Sequence, residues 1–117
     1  MKRDDKKRVH IWYPTNFNKA HEKDRLNKRV KNAFGYEFLE VDKERFDDEN
    51  YILHEVIPKL SIGVFVRDEN GMFDSGTDKL VRNLNSYGLH AFEIGSEGIF
   101  KLLNIETAEG NLLNKII

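Results

Sequence analysis

The amino-acid sequence predicts a small α/β domain in three layers, with a mostly parallel sheet of about four strands between helices. Three observations predict it. Short β-branched and aromatic runs alternate with segments of helical spacing. The run at residues 60–66 is almost continuously apolar, as a strand covered on both faces must be. The chain between successive runs is long enough for helical crossovers, which are right-handed when they join parallel strands of one sheet. Together these give a Rossmann-like order of strand and helix. With 117 residues the chain has the size of one domain and needs no cross-links to bury a core. Its expected division is a charged N-terminal tail, 1–8, and one α/β domain, 9–117.

Each element has a local reason. Val9, His10, Ile11, Trp12 and Tyr13 favour a strand, which Pro14 stops. Residues 15–18 form a loop that offers capping side chains. Residues 19–34 follow helical spacing, with Leu26, Val30, Ala33 and Phe34 on one side, and Gly35 terminates the run. Residues 36–41 read as the second strand. Residues 42–50 are polar and acidic, and Asp47 or Asp48 is placed to cap a helix over 49–57 that buries Ile52, Val56 and Tyr51, limited by Pro58. Residues 60–66 are the third strand. Asn70-Gly71 predicts a two-residue type I′ turn, with Met72-Phe73 returning. Ser75-Gly76-Thr77-Asp78 opens a helix whose inner face carries Leu80, Val81, Leu84 and Tyr87, and Gly88 ends it. Residues 90–94 are the fourth strand. Residues 99–103 suit either a short helical turn or a returning strand, and 107–117 favour a terminal helix built on Leu112, Leu113 and Ile116.

Composition narrows the function. Cysteine is absent, which excludes disulfides and thiolate metal sites and fits a cytoplasmic location. No apolar run approaches the roughly 20 residues of a membrane span, and no apolar stretch of signal-peptide type follows the charged N-terminus. Nineteen Lys and Arg against 20 Asp and Glu leave a net charge of −1, so nucleic acid is not an expected partner. The basic residues crowd into 1–31, as a solvated helix face or as a patch that meets anions.

In a parallel sheet, ligands bind beyond the carboxyl ends of the strands. Those ends are 13–16, 41–42, 67–68 with 74–78, and 95–98. The segment Asp74-Ser75-Gly76-Thr77-Asp78 is the most informative: its small residues feed a helix N-terminus, where free N–H groups and hydroxyls meet an anion or a sugar hydroxyl. It serves equally as an ordinary helix cap, and the phosphate-loop pattern GxxxxGK[ST] is absent. The candidate ligand-binding residues are Tyr13, Asn16, Asp68, Asp74, Ser75, Gly76 and Thr77, with Ser96 on the far side and Trp12 or Tyr13 facing a base. Asp78 is the candidate catalytic carboxylate. Asp68, Asp74 and Asp78, with Glu69, form either an acidic turn and helix start or a Mg²⁺ site. No histidine pair has zinc spacing, and neither metal nor cofactor is expected. Glu93, inside a strand, faces a ligand or partner or marks an edge.

The run Gly63-Val64-Phe65-Val66-Arg67-Asp68, then Asp74-Ser75-Gly76-Thr77, a helix, Gly88 and the strand 90–94 resembles the second half of the nucleoside 2-deoxyribosyltransferase-like group. The resemblance spans 9–95. It implies a nucleoside or nucleotide ligand held partly by the loop after the first strand, here Tyr13-Pro14-Thr15-Asn16. It also implies a nucleophilic glutamate in the first turn after Gly-Thr. This chain has Leu80 there, and only Asp78 as a carboxylate, so the expected function is nucleotide or nucleoside binding without the usual transfer reaction. A homodimer built on the apolar C-terminal segment would complete the pocket. The alternative is a protein-interaction or regulatory module, of the virus-encoded kind that binds a host factor.

Overall fold

The sheet contains five strands: β1 (Arg8–Trp12), β2 (Glu37–Phe38), β3 (Ile62–Phe65), β4 (His90–Ile94) and β5 (Phe100–Leu103). They lie in the order β2-β1-β3-β4-β5. This computed structural model describes residues 6–15, 17, 19–95 and 97–103. The first four strands are parallel to their neighbours, and β5 runs antiparallel to β4. The sheet therefore has one strand more than the four expected. Residues 99–103 resolve as a returning strand because Phe100 pairs with Ile94 and Leu103 with Ala91, a long-range ladder that their own composition does not announce.

Alternation along the strands sends side chains to two packed clusters. Val9, Ile11, Ile62, Val64, Val66 and Ile94 meet Leu26 and Val30 of helix α1 (Ala20–Phe34). Phe65, Ala91 and Leu103 meet Val81 and Leu84 of helix α3 (Thr77–Ser86), together with Tyr51, Val56, Ile57 and Leu60. All four residues of β3 are buried, as a central strand covered on both faces requires. Full burial of a side chain such as Val64 contributes roughly 1.5–3 kcal/mol.

Several local expectations change. α1 begins after Lys19 without a side-chain cap, since a lysine side chain has no acceptor, and Thr15 is bonded to Asp74; Asn16 and Asn18 lie outside the described residues. Gly35 ends α1 in the left-handed conformation, its N–H on the Lys31 carbonyl at 2.7 Å. The second strand shortens to the pair Glu37–Phe38. The helix expected over 49–57 starts as α2 (Glu49–Tyr51), capped by the Asp48 side chain, then widens into a π-turn (Ile52–Val56) and tightens into a 3₁₀ turn (Ile57–Lys59). Ile57 donates to the Ile52 carbonyl, and Pro58, with no N–H, cannot extend an α-helical ladder. Tyr87 is half exposed rather than on the inner face of α3. The terminal helix expected over 107–117 lies outside the described residues.

The turn at Asn70-Gly71 is not a two-residue type I′ turn. Gly71 N–H donates to the Asp68 carbonyl (3.0 Å), so Glu69 and Asn70 occupy the central positions, and Asp68 N–H donates to the Met72 carbonyl (2.8 Å). The Asp68 carboxylate also accepts from the Asn70 and Met72 amides, both at 2.9 Å. A side chain that offers acceptors to its own turn competes with ladder formation, and Met72-Phe73 form no strand. Among the described residues, no helix is long and apolar enough to cross a membrane.

Candidate functional site

The chain leaves β1 towards β2 on one side and leaves β3 towards β4 on the other. Between β1 and β3 the connections diverge, and at such a switch point an α/β sheet opens a crevice. A cleft of about 400 Å³ lies there. After β1 it is lined by Trp12, Tyr13, Pro14 and Thr15; after β3 by Phe65 and Val66; from the start of α3 by Asp74, Ser75, Thr77 and Leu80; and from the connection ahead of β3 by Phe46, Asp47 and Ile52.

Its wall is aromatic. Trp12 stacks on Phe65 with ring centroids 4.9 Å apart and planes 8° from parallel, and Phe46 lies 6.3 Å from Trp12. His10 stands edge-on to Trp12 at 4.6 Å and 4.9 Å from Phe46. Burial among these rings pushes the His10 imidazole down to about 4, so it is neutral at physiological pH. The Trp12 Nε1 is buried and has no hydrogen-bond partner among the described residues.

The polar rim is held by Asp74. Its Oδ2 accepts from the Thr15 amide at 2.9 Å and the Thr15 hydroxyl at 2.7 Å, tying the loop after β1 to the loop before α3. Ser75 is exposed beside it. Gly76 takes a left-handed conformation (φ 93°) as the residue before α3, with no side-chain cap, and Thr77 is buried with its N–H on the Asp74 carbonyl at 3.2 Å. The start of α3 thus turns on backbone geometry rather than on a capping hydroxyl.

The structure brings Tyr13, Asp74, Ser75 and Thr77 to one cleft. Tyr13 contributes less polarity than expected. Its ring packs against Phe17, and its hydroxyl lies 2.7 Å from Asn27 Oδ1 and 3.2 Å from the Lys23 carbonyl oxygen. Burial, with Asp24 and Glu22 nearby, pushes that hydroxyl up to about 12. The aromatic lining with no hydroxyl tied elsewhere is therefore Trp12, already stacked on Phe65 on one face, and Phe46. Asp68 is not part of this cleft: it braces its own turn and borders a separate cavity of about 240 Å³. Asp78 does not line the cleft either, and Asn16 and Ser96 lie outside the described residues. Asp68, Asp74 and Asp78 do not converge, and among the described residues no group of three acidic or histidine side chains could hold a metal ion.

Glu93 has a partner inside the chain. It forms a two-pronged ion pair with Arg67, Nε to Oε2 and Nη2 to Oε1, and both side chains are largely buried. Arg67 also donates to the Gly71 carbonyl at 2.7 Å and lies over the Phe73 ring, so this pair fastens the 68–73 turn to β4. Phe46, Asp47, Ile52 and Leu80 were not expected at the site. Phe46 and Asp47 sit in a stretch that reads as polar connector and Ile52 in a helix expected to bury it, and only tertiary packing delivers the three to the cleft. The chain matches no known family, no curated protein and no solved structure.

Proposed function

We propose that this chain binds a nucleoside in the cleft between the carboxyl ends of β1 and β3, without transferring its glycosyl group. The reading takes the domain as a three-layer, Rossmann-like frame related to the deoxyribosyltransferase-like group. The observation that carries it is the make-up of one cleft at the switch point. Aromatic faces at Trp12 and Phe46 suit a planar base. The exposed Asp74 carboxylate, the exposed Ser75 hydroxyl and the turn into α3 suit sugar hydroxyls. A volume of about 400 Å³ falls within the range of small-molecule pockets.

Charge favours the nucleoside over the nucleotide. Among the described residues, the charged ones lining the cleft are Asp47 and Asp74, with no Lys or Arg, so a phosphate group would meet carboxylates. Leu80 lines the cleft where the resemblance puts a nucleophilic glutamate, and a hydrocarbon side chain cannot form a glycosyl ester.

Thermal or urea unfolding with added ligand tests this. A nucleoside at about 100 times its dissociation constant should stabilise the fold by roughly 2.7 kcal/mol, and the corresponding monophosphate should stabilise it less. Ser75→Tyr, an exposed position at the cleft, should abolish the nucleoside response and leave the unliganded midpoint unchanged. Incubation with a nucleoside and a free base should give no base exchange. Stronger stabilisation by monophosphates would overturn the preference. No response to any nucleoside would move the assignment to a protein-interaction module.

A further inference from the structure

We propose that the cleft between β1 and β3 selects nucleosides whose base carries a positive charge, such as N-methylated purines protonated at neutral pH. The proposal rests on the nucleoside reading and goes beyond it, because a neutral base would need only the aromatic wall.

The wall combines two features that act together on a cation. Trp12 and Phe46 line the cleft, one face of Trp12 being taken by Phe65, and an aromatic ring attracts a cation through its quadrupole, most strongly at tryptophan and where water is excluded. Asp47 and Asp74 supply negative charge on the same cleft. Two basic side chains on the bordering elements are already paired with carboxylates. Arg45 lies over the Tyr51 ring and pairs with Glu55 at 3.2 Å, and Lys79 pairs with Glu49 at 3.2 Å. The positive end of α3 also adjoins the cleft, but Asp74 precedes it and Asp78 stands in its first turn, and carboxylates there offset the helix dipole. His10, behind Trp12 and Phe46, is neutral and adds no opposing charge. The charges on the described lining residues, Asp47 and Asp74, are therefore negative.

A pair of isomers isolates the effect. 1-Methyladenosine is protonated at pH 7 and N6-methyladenosine is not, while size and composition are the same. Titration calorimetry with the full chain should give a dissociation constant roughly tenfold lower for 1-methyladenosine, of the order a partly desolvated cation–π contact provides. Asp47→Asn, at an exposed position, should shrink that ratio to about twofold with unchanged folding midpoint. Equal affinity for the two isomers, or tighter binding of N6-methyladenosine, would overturn the charge preference and leave the nucleoside reading standing. Binding of tetramethylammonium with no binding of either isomer or of adenosine would overturn the nucleoside reading and this proposal with it, leaving only a site for small cations. No binding of any of these probes would overturn both.

Discussion

His10 shows how one side chain couples the fold to pH. It is packed between Trp12 and Phe46, and burial lowers its imidazole from 6.5 to about 4. Between those values the unfolded chain binds a proton that the folded chain does not, so stability is present above the unfolded value and falls as pH drops towards the folded one. From pH 7 to pH 5 this one group should remove about 2 kcal/mol. Urea unfolding of wild type and His10→Leu at the two pH values should show a pH loss smaller by about that amount in the variant, and equal losses would mean that His10 reaches water. Gly63 acts through space rather than charge. A Cβ there would lie 2.6 Å from Leu84 Cδ1 and 3.1 Å from Trp12 Cζ3, and Leu84 is fully buried with little room to yield. Gly63→Ala should therefore cost about 1–3 kcal/mol, the usual range for overpacking. It should also alter the near-ultraviolet dichroism of Trp12, which has to move. An unchanged midpoint would mean that the Leu84 and Trp12 side chains repack freely.

Among the elements, the turn at 68–73 is held by three devices at once: the Asp68 carboxylate on two amides, the Arg67 guanidinium on the Gly71 carbonyl, and Gly71 itself at φ 77°. A residue with a Cβ is strained at that angle, so Gly71→Ala should cost on the order of 1 kcal/mol. Open space surrounds the position, and no clash adds to this. Hydrogen exchange should quicken only at the amides of 68–73, and a rise that reached β3 would show that the turn is needed to hold the strand. The elements also divide by how legible they are in sequence. β3 announces itself through a continuous apolar run, α1 through spaced Leu26 and Val30 and its closing Gly35, and the loop Asp74–Thr77 through small polar residues before a helical pattern. β5 does not, because its partner β4 makes it a strand and its own pattern leaves Lys101 and Leu102 exposed. The widened turn at Ile52–Val56 does not, since helical spacing alone cannot separate α from π. One side of the cleft was hidden as well: Phe46 and Asp47 reach it from an acidic connector with no periodicity.

At the scale of the whole molecule, one strand joins two cores. Val64 belongs to the cluster under α1 and Phe65 to the cluster under α3, and both are at most 1 % exposed. Neither cluster can keep its apolar face covered if β3 leaves the sheet, so loss of one exposes the other. A domain built this way should unfold as a unit. The chain supplies two probes that report on opposite faces. Its single tryptophan, Trp12, stacks on Phe65 in the cluster under α3. The far-ultraviolet helical signal draws most on α1, the longest helix described, at 15 residues. Tryptophan fluorescence and helical dichroism should therefore give superimposable urea transitions, with the same midpoint and slope. Val64→Asp should abolish both together, because an unpaired carboxylate buried between two parallel neighbours costs several kcal/mol, comparable with the whole stability of a small domain. Separate midpoints would mean that each face folds independently. A Val64→Asp protein that kept its helical signal but lost the tryptophan environment would place the weaker half of the molecule under α3, on the side that carries the cleft.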